Sequence, residues 1–413
     1  MDDYKKHNVI ILNHHAHAPD TGGGGRHFDL AQSLSARGHK VTVLASSYDN
    51  GKQKYLLNEK ENEIFFNDNL KFVRFKTKPG YKNTVTRLLN YYHYKILTAS
   101  YSKFSEKPTV IIASSVHPFA WISGYKLSKK YNAKFIVEVR DLWPLSMYED
   151  LSGLKRKVIF SFFESLEKKY YKIADEIVTT APFAYEYMDE KFGTNEDKVH
   201  YIPHGIDINK FDENTNHSSE VLPAELNEAL DNYFCVTYTG ALSKSEGLET
   251  LIFAAKQLEG YENIKIVIVG GGSEKEKLLT LQKQYNLNNI LIIDKQPRSN
   301  IPLILKKSKI LFCGLMDRKA FKYGISKNKF YDYMASAKPI IFASNVRGSL
   351  ITKANAGVTI EQGNPELLTN NVLNMYENYS DMSKIYGKNG RDFVEKNHTV
   401  KVISDKFEKL IVK

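Results

Sequence analysis

The sequence of 413 residues contains only two cysteines, Cys235 and Cys313, and it has no apolar run of 18 or more residues. Both cysteines lie in apolar, strand-like segments, so we predict that they are small buried side chains. Neither a disulfide framework nor a cysteine metal site is expected. The lack of a long apolar run argues against a membrane-spanning helix. Residues 1–6 also lack the apolar core of a signal peptide, which predicts a cytoplasmic protein.

The rest of the composition is that of an ordinary globular protein. Apolar residues make up 42% and charged residues 25% of the chain. These values exclude collagen-like, disordered and low-complexity proteins. The length predicts at least two domains, each large enough to bury a sizeable core.

Positive charge is concentrated in one region. The formal net charge is +11. Between Lys71 and Lys134, 13 basic residues are accompanied by a single acid, Glu106, which gives +12 and leaves −1 for the rest of the chain. The region is also rich in aromatic residues. This combination is typical of a nucleic-acid site, of a surface that binds anionic membranes, or of a plain solvated face.

Strand-like apolar runs alternate with amphipathic segments, a pattern that predicts parallel sheets with helices on both faces. One series runs from Val9–Leu12 to Val199–Ile202, and a second runs from Phe234–Thr239 to Ile340–Ala343. The polar stretch Asn209–Asn232 is interpreted as an irregular linker. The fold class is therefore α/β, with two doubly wound, Rossmann-like domains.

The predicted domains are residues 1–207 and 208–394. A C-terminal helix, about 395–413, is a candidate to pack back on the first domain. Because ligands of such sheets bind beyond the carboxyl ends of the strands, two facing domains would share one interdomain cleft.

Two helical segments carry apolar residues at the spacing of a single packed face. They are Val85–Tyr101, with apolar residues at 85, 88, 89, 92 and 96, and Arg156–Ile173, with apolar residues at 158, 159, 162, 163 and 166. This spacing is typical of one face of an amphipathic helix.

A run of four glycines, residues 22–25, joins the first strand to a helix that begins near Arg26. Such a loop lets a ligand approach the backbone and the positive end of a helix. We therefore predict that Gly23, Gly24 and Gly25 contact an anion or a sugar. The run does not fit the G-x-G-x-x-G pattern of dinucleotide-binding proteins.

Three histidines, His14, His15 and His17, resemble a metal cluster. Adjacent histidines at a strand end are expected to point to opposite faces, and no carboxylate or cysteine cluster completes a ligand set. No metal site is predicted, and loop residues that line the cleft are the preferred interpretation.

Polar side chains follow two later strands of the first domain. His117 can donate a hydrogen bond near the cleft, Arg140 can bind a phosphate, and Asp141 can accept from a sugar hydroxyl or hold Arg140. The alternative is a structural Arg–Asp pair beside a packed Trp143.

The second domain places cations and glycines on its strand-end loops. The residues in question are Gly240 and Lys244 on the first loop, Gly271 and Arg298 on the next two, and Ser326, Lys327, Asn328, Lys329 and Asp332 on the loop and helix that precede Pro339. We expect Asp332 in the first turn of a helix Lys329–Ser336, whose free N–H groups would seat an anion. Glu246 and Glu249 are interpreted as ordinary helix-start residues.

Taken together, several segments resemble family 4 retaining glycosyltransferases of the GT-B fold over nearly the full chain. In chain order they are Gly22–Gly25, Leu30–Val43, Arg140–Pro144, Ile202–Asp207, Thr239–Gly240 with Gly247–Ile252, Val269–Gly272, and Tyr323–Pro339. The segments Arg140–Pro144 and Ser326–Lys329 are most similar to the N-acetylfucosamine transferase-like branch of bacterial surface-polysaccharide assembly.

The resemblance implies that the second domain binds a UDP-sugar donor and the first domain the acceptor, with no metal or other cofactor. Asp332 matches the acid that holds the nucleotide ribose, and Lys329 and Lys244 would face the diphosphate. Two positions depart from the family pattern. Gly324 stands where a glutamate is usual, and Arg140 stands where many relatives have a histidine.

The resulting hypothesis is a cytoplasmic, retaining, metal-independent transferase that is peripheral on the inner face of the cell membrane. It would move an acetamido-6-deoxyhexose such as N-acetylfucosamine from a UDP-sugar to an undecaprenyl-diphosphate-linked saccharide in capsule or O-antigen synthesis. The basic region 71–134 would contact the anionic membrane. The alternatives are a nucleotide-sugar epimerase of the same architecture and, without a recognisable module to support it, a nucleic-acid binder.

Overall fold

The computed structural model describes residues 5–21, 24–49, 54–57, 59–80, 84–115, 117–148, 152–216 and 221–413. Gly23, one of the predicted ligand contacts, lies outside these residues. The chain divides into two units. The N-terminal unit comprises the described residues up to His204 together with Val400–Lys413, and the C-terminal unit comprises Gly205–Thr399.

The N-terminal unit is built on one sheet whose strand order is β10-β9-β8-β7-β1-β2-β6-β5. The strands of this unit are β1 (Asn8–Leu12), β2 (Lys40–Ser46), β3 (Tyr48–Asp49), β4 (Lys54–Tyr55), β5 (Glu61–Asn67), β6 (Leu70–Phe75), β7 (Val110–Ser114), β8 (Lys134–Val139), β9 (Glu176–Thr179) and β10 (Val199–Tyr201). β3 and β4 form a separate antiparallel pair. Within the sheet the pairing is parallel except for the edge strand β5, which pairs antiparallel with β6. The sequence pattern missed β5 because it is a half-exposed edge strand.

Helices cover this sheet between its strands. They are α1 (Arg26–Ala36), α2 (Thr84–Ser100), α3 (Phe119–Tyr131), α4 (Gly153–Ile173) and α5 (Ala184–Phe192). The central strands are buried on both faces, as expected for a parallel sheet between helix layers.

The C-terminal unit contains a parallel sheet with strand order β13-β12-β11-β14-β15-β16. Its strands are β11 (Phe234–Ala241), β12 (Ile264–Gly271), β13 (Ile290–Ile293), β14 (Ile310–Gly314), β15 (Ile340–Ala343) and β16 (Gly357–Ile360). Its helices are α6 (Ile208–Asn216), α7 (Ala224–Asn232), α8 (Glu249–Gln257), α9 (Lys275–Gln284), α10 (Ile301–Lys307), α11 (Asn328–Ala335), α12 (Leu350–Ala354), α13 (Pro365–Glu377) and α14 (Tyr379–Asn397).

The predicted fold class, two doubly wound parallel-sheet domains, is confirmed. In each sheet the strand order reverses beside the first strand, at β1 next to β7 and at β11 next to β14. Such switch points are where ligands bind in open α/β sheets. The cleft between the units stays a prediction.

The predicted irregular linker Asn209–Asn232 is wrong. The chain forms α6 and α7 there, and residues 217–220 lie outside the described ones. Both helices are short and polar, and their burial rests on a few side chains. Phe211 is buried on α6, and Leu226 and Leu230 are buried on α7. So few apolar positions leave a weak helical signal in the sequence.

The last helix, α15 (Val400–Val412), belongs to the N-terminal unit. It packs against α1, and its Phe407 is fully buried with the Arg26 guanidinium 5.4 Å from its ring centre. Lys134 at the start of β8 donates a 2.7 Å hydrogen bond to the carbonyl of Leu410.

The packed faces of α2 and α4 differ from the predicted ones. Leu88 on α2 and Ile159 on α4 pack against a cluster that contains Phe119, Trp143 and Phe163. The other residues of the predicted faces are 45–66% exposed, except for Phe163 and Leu166, and these are Val85, Leu89, Tyr92 and Ile96 on α2 and Val158 and Phe162 on α4. Leu154 on α4 is also exposed, whereas Tyr91 and Tyr94 on α2 are buried. The sequence shows that these residues are apolar, but it does not show which of them the sheet covers.

Both cysteines are free and fully buried, as predicted. Burial raises the pKa of the Cys235 thiol to about 12. A thiol that stays protonated is a poor nucleophile, so Cys235 is a packing residue.

A buried carboxylate, Glu138 at the end of β8, ties the N-terminal unit together. Its Oε1 accepts a 2.7 Å hydrogen bond from Arg26 Nε, and its Oε2 lies 2.8 Å from His27 Nε2. Arg26 also donates to the carbonyls of Ile202, at 2.8 Å, and Pro203. Burial alone would raise the pKa of Glu138, but the neighbouring Arg26 charge holds it well below its usual value.

We expect the substitution Glu138→Gln to destabilise the N-terminal unit by about 3–5 kcal/mol, because it leaves the Arg26 charge buried without its partner. Both tryptophans, Trp121 and Trp143, lie in this unit. Tryptophan fluorescence during urea denaturation therefore reports its unfolding. Glu164→Gln, which removes a partly exposed carboxylate from its pair with Lys191, is the control and should cost less than about 1 kcal/mol. Equal losses in the two variants would contradict this role.

Candidate functional site

A pocket of about 340 Å³ lies in the C-terminal unit at the carboxyl end of β11, beside its switch point. It is lined by Thr239, Gly240, Glu246, Arg298, Ile301, Lys327, Asn328, Lys329 and Asp332. The parallel topology brings these residues together, because the loops after β11, β13 and β14 all emerge at the same edge of the sheet. Six of them, Gly240, Arg298, Lys327, Asn328, Lys329 and Asp332, were predicted site residues.

Glu246 occupies the centre of the pocket's charged groups, although its sequence position suggested only a helix start. Its two carboxylate oxygens accept hydrogen bonds from Lys327 Nζ at 2.9 and 3.0 Å, and its Oε2 accepts one from Lys329 Nζ at 2.7 Å. Burial alone would raise the pKa of Glu246, but the charges of Lys329 and Lys327 hold it below its usual value. The carboxylate is therefore ionised and bridges the two ammonium groups.

The two lysines differ in how many of their N–H groups are already used. Lys327 Nζ also donates to the carbonyl of Gly314 at 2.9 Å, so its partners are two carboxylate oxygens and one carbonyl. Lys329 Nζ has two partners among the described residues, Glu246 and, at 2.9 Å, Tyr238 Oη. An ammonium carries three N–H donors. Lys329 therefore keeps one donor for a ligand, whereas Lys327 is fully engaged.

Gly240 makes room for the Lys329 side chain. A Cβ atom at this position would lie 3.0 Å from Lys329 Nζ, and the φ angle of 146° is one that side-chain-bearing residues rarely adopt. The prediction that Gly240 belongs to the site is thus explained by the space that it leaves for a lysine.

Asp332 and Arg298 provide one free carboxylate and one free guanidinium. Within the described part of the chain, neither side chain has a hydrogen-bond or ion-pair partner, and their charges still influence one another. Burial raises the pKa of Asp332 to about 6, with Arg298 opposing that rise. Asp332 was expected in the first turn of its helix, which is wrong. The helix α11 begins at Asn328, so Asp332 is its fifth residue.

Three predicted site residues lie outside the set that lines the pocket. Lys244 is exposed on the turn that precedes Gly247. The Ser326 hydroxyl pairs with Tyr331 Oη at 2.9 Å. Gly271 ends β12 beside Ala241.

Gly324 has a backbone reason to be glycine. It ends the short helical turn Lys319–Tyr323 with φ 85° and ψ 175°. This region of conformational space is essentially limited to glycine. The residue that departs from the family pattern is therefore part of a loop conformation that a glutamate would strain.

In the N-terminal unit, the predicted residues lie at the carboxyl ends of β7 and β8 and at the start of α1. Gly25 precedes α1 with φ 131°, and a Cβ atom on Gly24 or Gly25 would meet no atom within 4 Å. Asp141 is exposed, and no ion pair joins it to Arg140 among the described residues. The alternative of a structural Arg140–Asp141 pair is therefore not supported, although Trp143 is packed as that alternative expected.

His117 and Arg140 both have nitrogens without partners. His117 was expected at the rim of a cleft, but it is fully buried and stacks on Tyr91 with ring centres 3.8 Å apart. Both of its ring nitrogens are without hydrogen-bond partners within the described part of the chain, as is Arg140 Nε. Burial holds the pKa of His117 well below its usual value, so the ring is neutral.

The expectation that His14 and His15 point to opposite faces is wrong. Their Nδ1 atoms lie 3.2 Å apart and their ring centres 4.5 Å apart. Burial lowers the pKa of His15 to about 3, so this pair is neutral at physiological pH. In the part of the chain that the structure describes, no group of three or more potential ligands is placed to hold a metal.

Glu246 is the pocket residue that sequence reasoning missed. One signal could have found it. The loop 239–247 has a single acidic residue, and it lies at the same sheet edge as two lysines that need a counter-charge. The choice of Glu246 rather than Glu249 follows only from the structure, where Glu249 pairs with Lys277 instead.

We expect Asp332→Asn to stabilise the ligand-free protein at pH 8. The pKa of Asp332 is about 6 in the folded state and ordinarily 3.8. Ionised Asp332 therefore destabilises the folded protein. The free energy of unfolding falls as pH rises above about 4, by up to about 3 kcal/mol. The melting temperature of Asp332→Asn should exceed that of the wild type at pH 8, and the gain should vanish near pH 4. Glu259→Gln, at an exposed position, is the control. If Asp332→Asn did not raise the melting temperature at pH 8, the raised pKa of Asp332 would be contradicted.

Two family models match the chain. Glycosyltransferase Family 4 matches residues 21–210, and Glycosyl transferases group 1 matches residues 225–393. An uncharacterised glycosyltransferase of Methanocaldococcus jannaschii is 25% identical over 268 residues. The alignment covers 63% of this chain and 65% of that relative.

Solved structures share the architecture. Sucrose-phosphate synthase from Thermosynechococcus elongatus has a TM-score of 0.71 and 16% identity, with 98% of each chain covered. HepE from Anabaena, in complex with UDP-glucose, has a TM-score of 0.64 and 12% identity, with 98% of this chain and 99% of that chain covered. At these identities the likeness shows the fold. The chain therefore has the GT-B fold, and a region that matches the Family 4 glycosyltransferase model is followed by one that matches the group 1 model.

Proposed function

We propose that this protein is a retaining glycosyltransferase that uses a UDP-sugar donor. The observation that carries the proposal is the pocket beside β11, which combines a lysine with a spare N–H donor, a free arginine and a free carboxylate. The same fold binds UDP-glucose in HepE. A nucleoside diphosphate offers the matching groups, namely phosphate oxygens for the cations and ribose hydroxyls for the carboxylate.

In this proposal Lys329 and Arg298 contact the diphosphate, together with the free N–H groups at the start of α11. Asp332 accepts hydrogen bonds from the ribose hydroxyls. As the bond to the transferred sugar breaks, negative charge develops on the diphosphate, and fixed cations stabilise it without reorganisation. The acceptor hydroxyl attacks from the face that the diphosphate leaves, so the residues mainly position the two substrates.

The reaction is proposed to need no metal, because the pocket's own cations can neutralise the leaving diphosphate. The epimerase alternative requires an acid and a base on either side of the sugar. Of the two carboxylates that line the pocket, Glu246 is held by two lysines, which leaves Asp332 alone. The transferase is therefore preferred.

A thermal-shift screen across UDP-, GDP- and dTDP-sugars, with EDTA present, tests the donor. We expect UDP-sugars to raise the melting temperature and Lys329→Met to reduce that shift severalfold, because it removes a charge-assisted hydrogen bond worth about 1.5–3 kcal/mol. Lys283→Met, at an exposed position on α9, is the matched control. Stabilisation by GDP-mannose alone would overturn both the UDP and the N-acetylfucosamine assignments.

The acceptor is proposed to be an undecaprenyl-diphosphate-linked saccharide of capsule or O-antigen synthesis, and the transferred sugar an N-acetylated 6-deoxyhexose. Both follow from the sequence resemblance. A lipid-linked acceptor requires a protein that works at the membrane surface. None of the helices among the described residues is long and apolar enough to cross a membrane, so contact with the surface would have to be peripheral.

The exposed apolar side chains of α2 and α4 are the proposed contact. On α2 they recur at residues 85, 89, 92 and 96, and on α4 at 154, 158 and 162. The ring centre of Phe119 lies 6.3 Å from that of Phe162 on α4 and 6.5 Å from that of Tyr91 on α2. Both helices therefore flank the same aromatic side chain. Large apolar residues exposed in this number mark an interaction surface.

Positive charge beside these residues favours an anionic lipid surface. α2 contains Arg87 and Lys95 and no acid, and Arg156 and Lys157 lie in the first turns of α4. The Lys95 ammonium lies 4.0 Å from the ring centre of Tyr92. Basic amphipathic helices of this type lie in membrane interfaces.

The basic region 71–134 is less available than its charge suggests. Arg74 is fully buried and binds Asp20 at 2.7 Å, and Lys71 binds Glu63 at 3.2 Å. Lys134 donates to a backbone carbonyl. The proposed membrane contact therefore rests on α2 and α4 rather than on the region as a whole.

We expect the protein to float with vesicles that contain anionic phospholipid at low salt, and to float much less with neutral vesicles or at high salt. The variant Leu89→Ser/Ile96→Ser should weaken flotation about tenfold or more, because it removes apolar area from the lipid. The matched control is Ile385→Ser, because Ile385 on α14 is a similarly exposed apolar side chain in the other unit. Concentration-dependent dimerisation that the double variant abolishes, with no flotation, would assign the surface to a second copy instead.

A further inference from the structure

We infer that Glu246 is a positioning residue that competes with the nucleoside diphosphate for Lys329 and thereby keeps the product releasable. The inference rests on the proposed function, since it takes the pocket beside β11 as the diphosphate site. It assigns a role to a carboxylate that the chemistry of anion binding would not require. A site that only had to attract phosphate would be expected to leave its lysines unpaired.

The backbone that carries the carboxylate is held in place by packing. The turn Lys244–Glu246 lies directly on the end of β14. A Cβ atom on Gly314 would lie 2.1 Å from the Glu246 carbonyl oxygen, and Met316 N donates a 2.9 Å hydrogen bond to the Ser245 carbonyl. The Glu246 backbone is therefore held beside β14, and its carboxylate, on a side chain that is 11% exposed, pairs with both ammonium groups.

The charges that line the pocket nearly cancel. Arg298, Lys327 and Lys329 are positive, while Glu246 and ionised Asp332 are negative. Their sum is +1, and without Glu246 it would be +2. The carboxylate thus halves the net charge that a diphosphate meets.

Donor and product differ in charge, which makes the effect selective. The terminal phosphate of a free nucleoside diphosphate ionises once more, with a pKa near 6, whereas in the sugar nucleotide that oxygen is esterified. A fixed carboxylate therefore repels the product more than the donor. At the same time it separates the two like-charged ammonium groups and directs the spare Lys329 N–H to one place.

The test is calorimetric binding of UDP and of uridine to the wild type, Glu246→Gln and Glu246→Asp. We expect Glu246→Gln to bind UDP more tightly, by about tenfold or more, because the substitution removes the Coulomb repulsion between one fixed negative charge and the diphosphate. Uridine carries no phosphate, so its affinity should not change. Glu246→Asp keeps the charge and should stay within about threefold of the wild type for UDP.

The matched control is Glu249→Gln, three residues further along, which removes the same charge from a carboxylate that pairs with Lys277 outside the pocket. It should leave both affinities unchanged. If the affinity of Glu246→Gln for UDP were no higher than that of the wild type, the inferred competition would be refuted. A parallel loss of uridine affinity would show a merely structural role, which also overturns it.

A second variant keeps the test decisive if Glu246→Gln does not fold. Glu246→Gln/Lys327→Gln removes one charge of each sign and should bind UDP at least as well as the wild type, because Lys329 no longer shares its N–H groups with a carboxylate. A loss of tenfold or more would show that Lys327 itself binds the ligand and would refute the inference. Failure of the wild type to bind UDP would instead refute the proposed donor.

Discussion

The bridge from Glu246 to Lys327 and Lys329 is the interaction on which the pocket depends. It joins the turn after β11 to the loop that begins α11, two segments about 80 residues apart in the chain. Two ammonium groups this close would repel each other in a partly buried site, and a carboxylate between them removes that repulsion. Tyr238 then fixes Lys329 from the other side, with its ring centre 4.2 Å from the ammonium and its hydroxyl as an acceptor.

Each unit contains a carboxylate that binds cationic partners, but the two networks have different roles. In the N-terminal unit Glu138 also holds cationic or polar partners at the carboxyl edge of a parallel sheet. Its partner Arg26 also donates to the carbonyls of Ile202 and Pro203, so each guanidinium nitrogen has a partner and the network stabilises the fold. In the C-terminal unit Lys329 keeps a donor, and Arg298 and Asp332 have no partner among the described residues. The unfilled hydrogen bonds, rather than the buried charge, distinguish a binding site from a structural network.

Much of this arrangement could be predicted from the sequence, because strand periodicity and strand-end position are local signals. Gly240, Arg298, Lys329 and Asp332 were found in that way, and parallel topology brought them together. Glu246 was missed because its role depends on the packing of its turn against Gly314, a contact across 68 residues. The exposure of Leu89 and Ile96 was missed for a related reason, since α2 carries apolar residues on more than one face and periodicity does not show which face the neighbouring elements cover.

Gly324 shows why the donor sugar is harder to infer than the reaction class. The family resemblance places a carboxylate at this position, where this chain has a backbone conformation that essentially only glycine adopts. A change from glutamate to glycine here is therefore a change of loop path, and it cannot be reversed by restoring one side chain. With Glu246 engaged by two lysines, Asp332 is the pocket's one carboxylate without a partner among the described residues. If Asp332 binds the ribose, the pocket's side chains offer no acid for the sugar's hydroxyls, and that sugar must be recognised by groups outside the pocket.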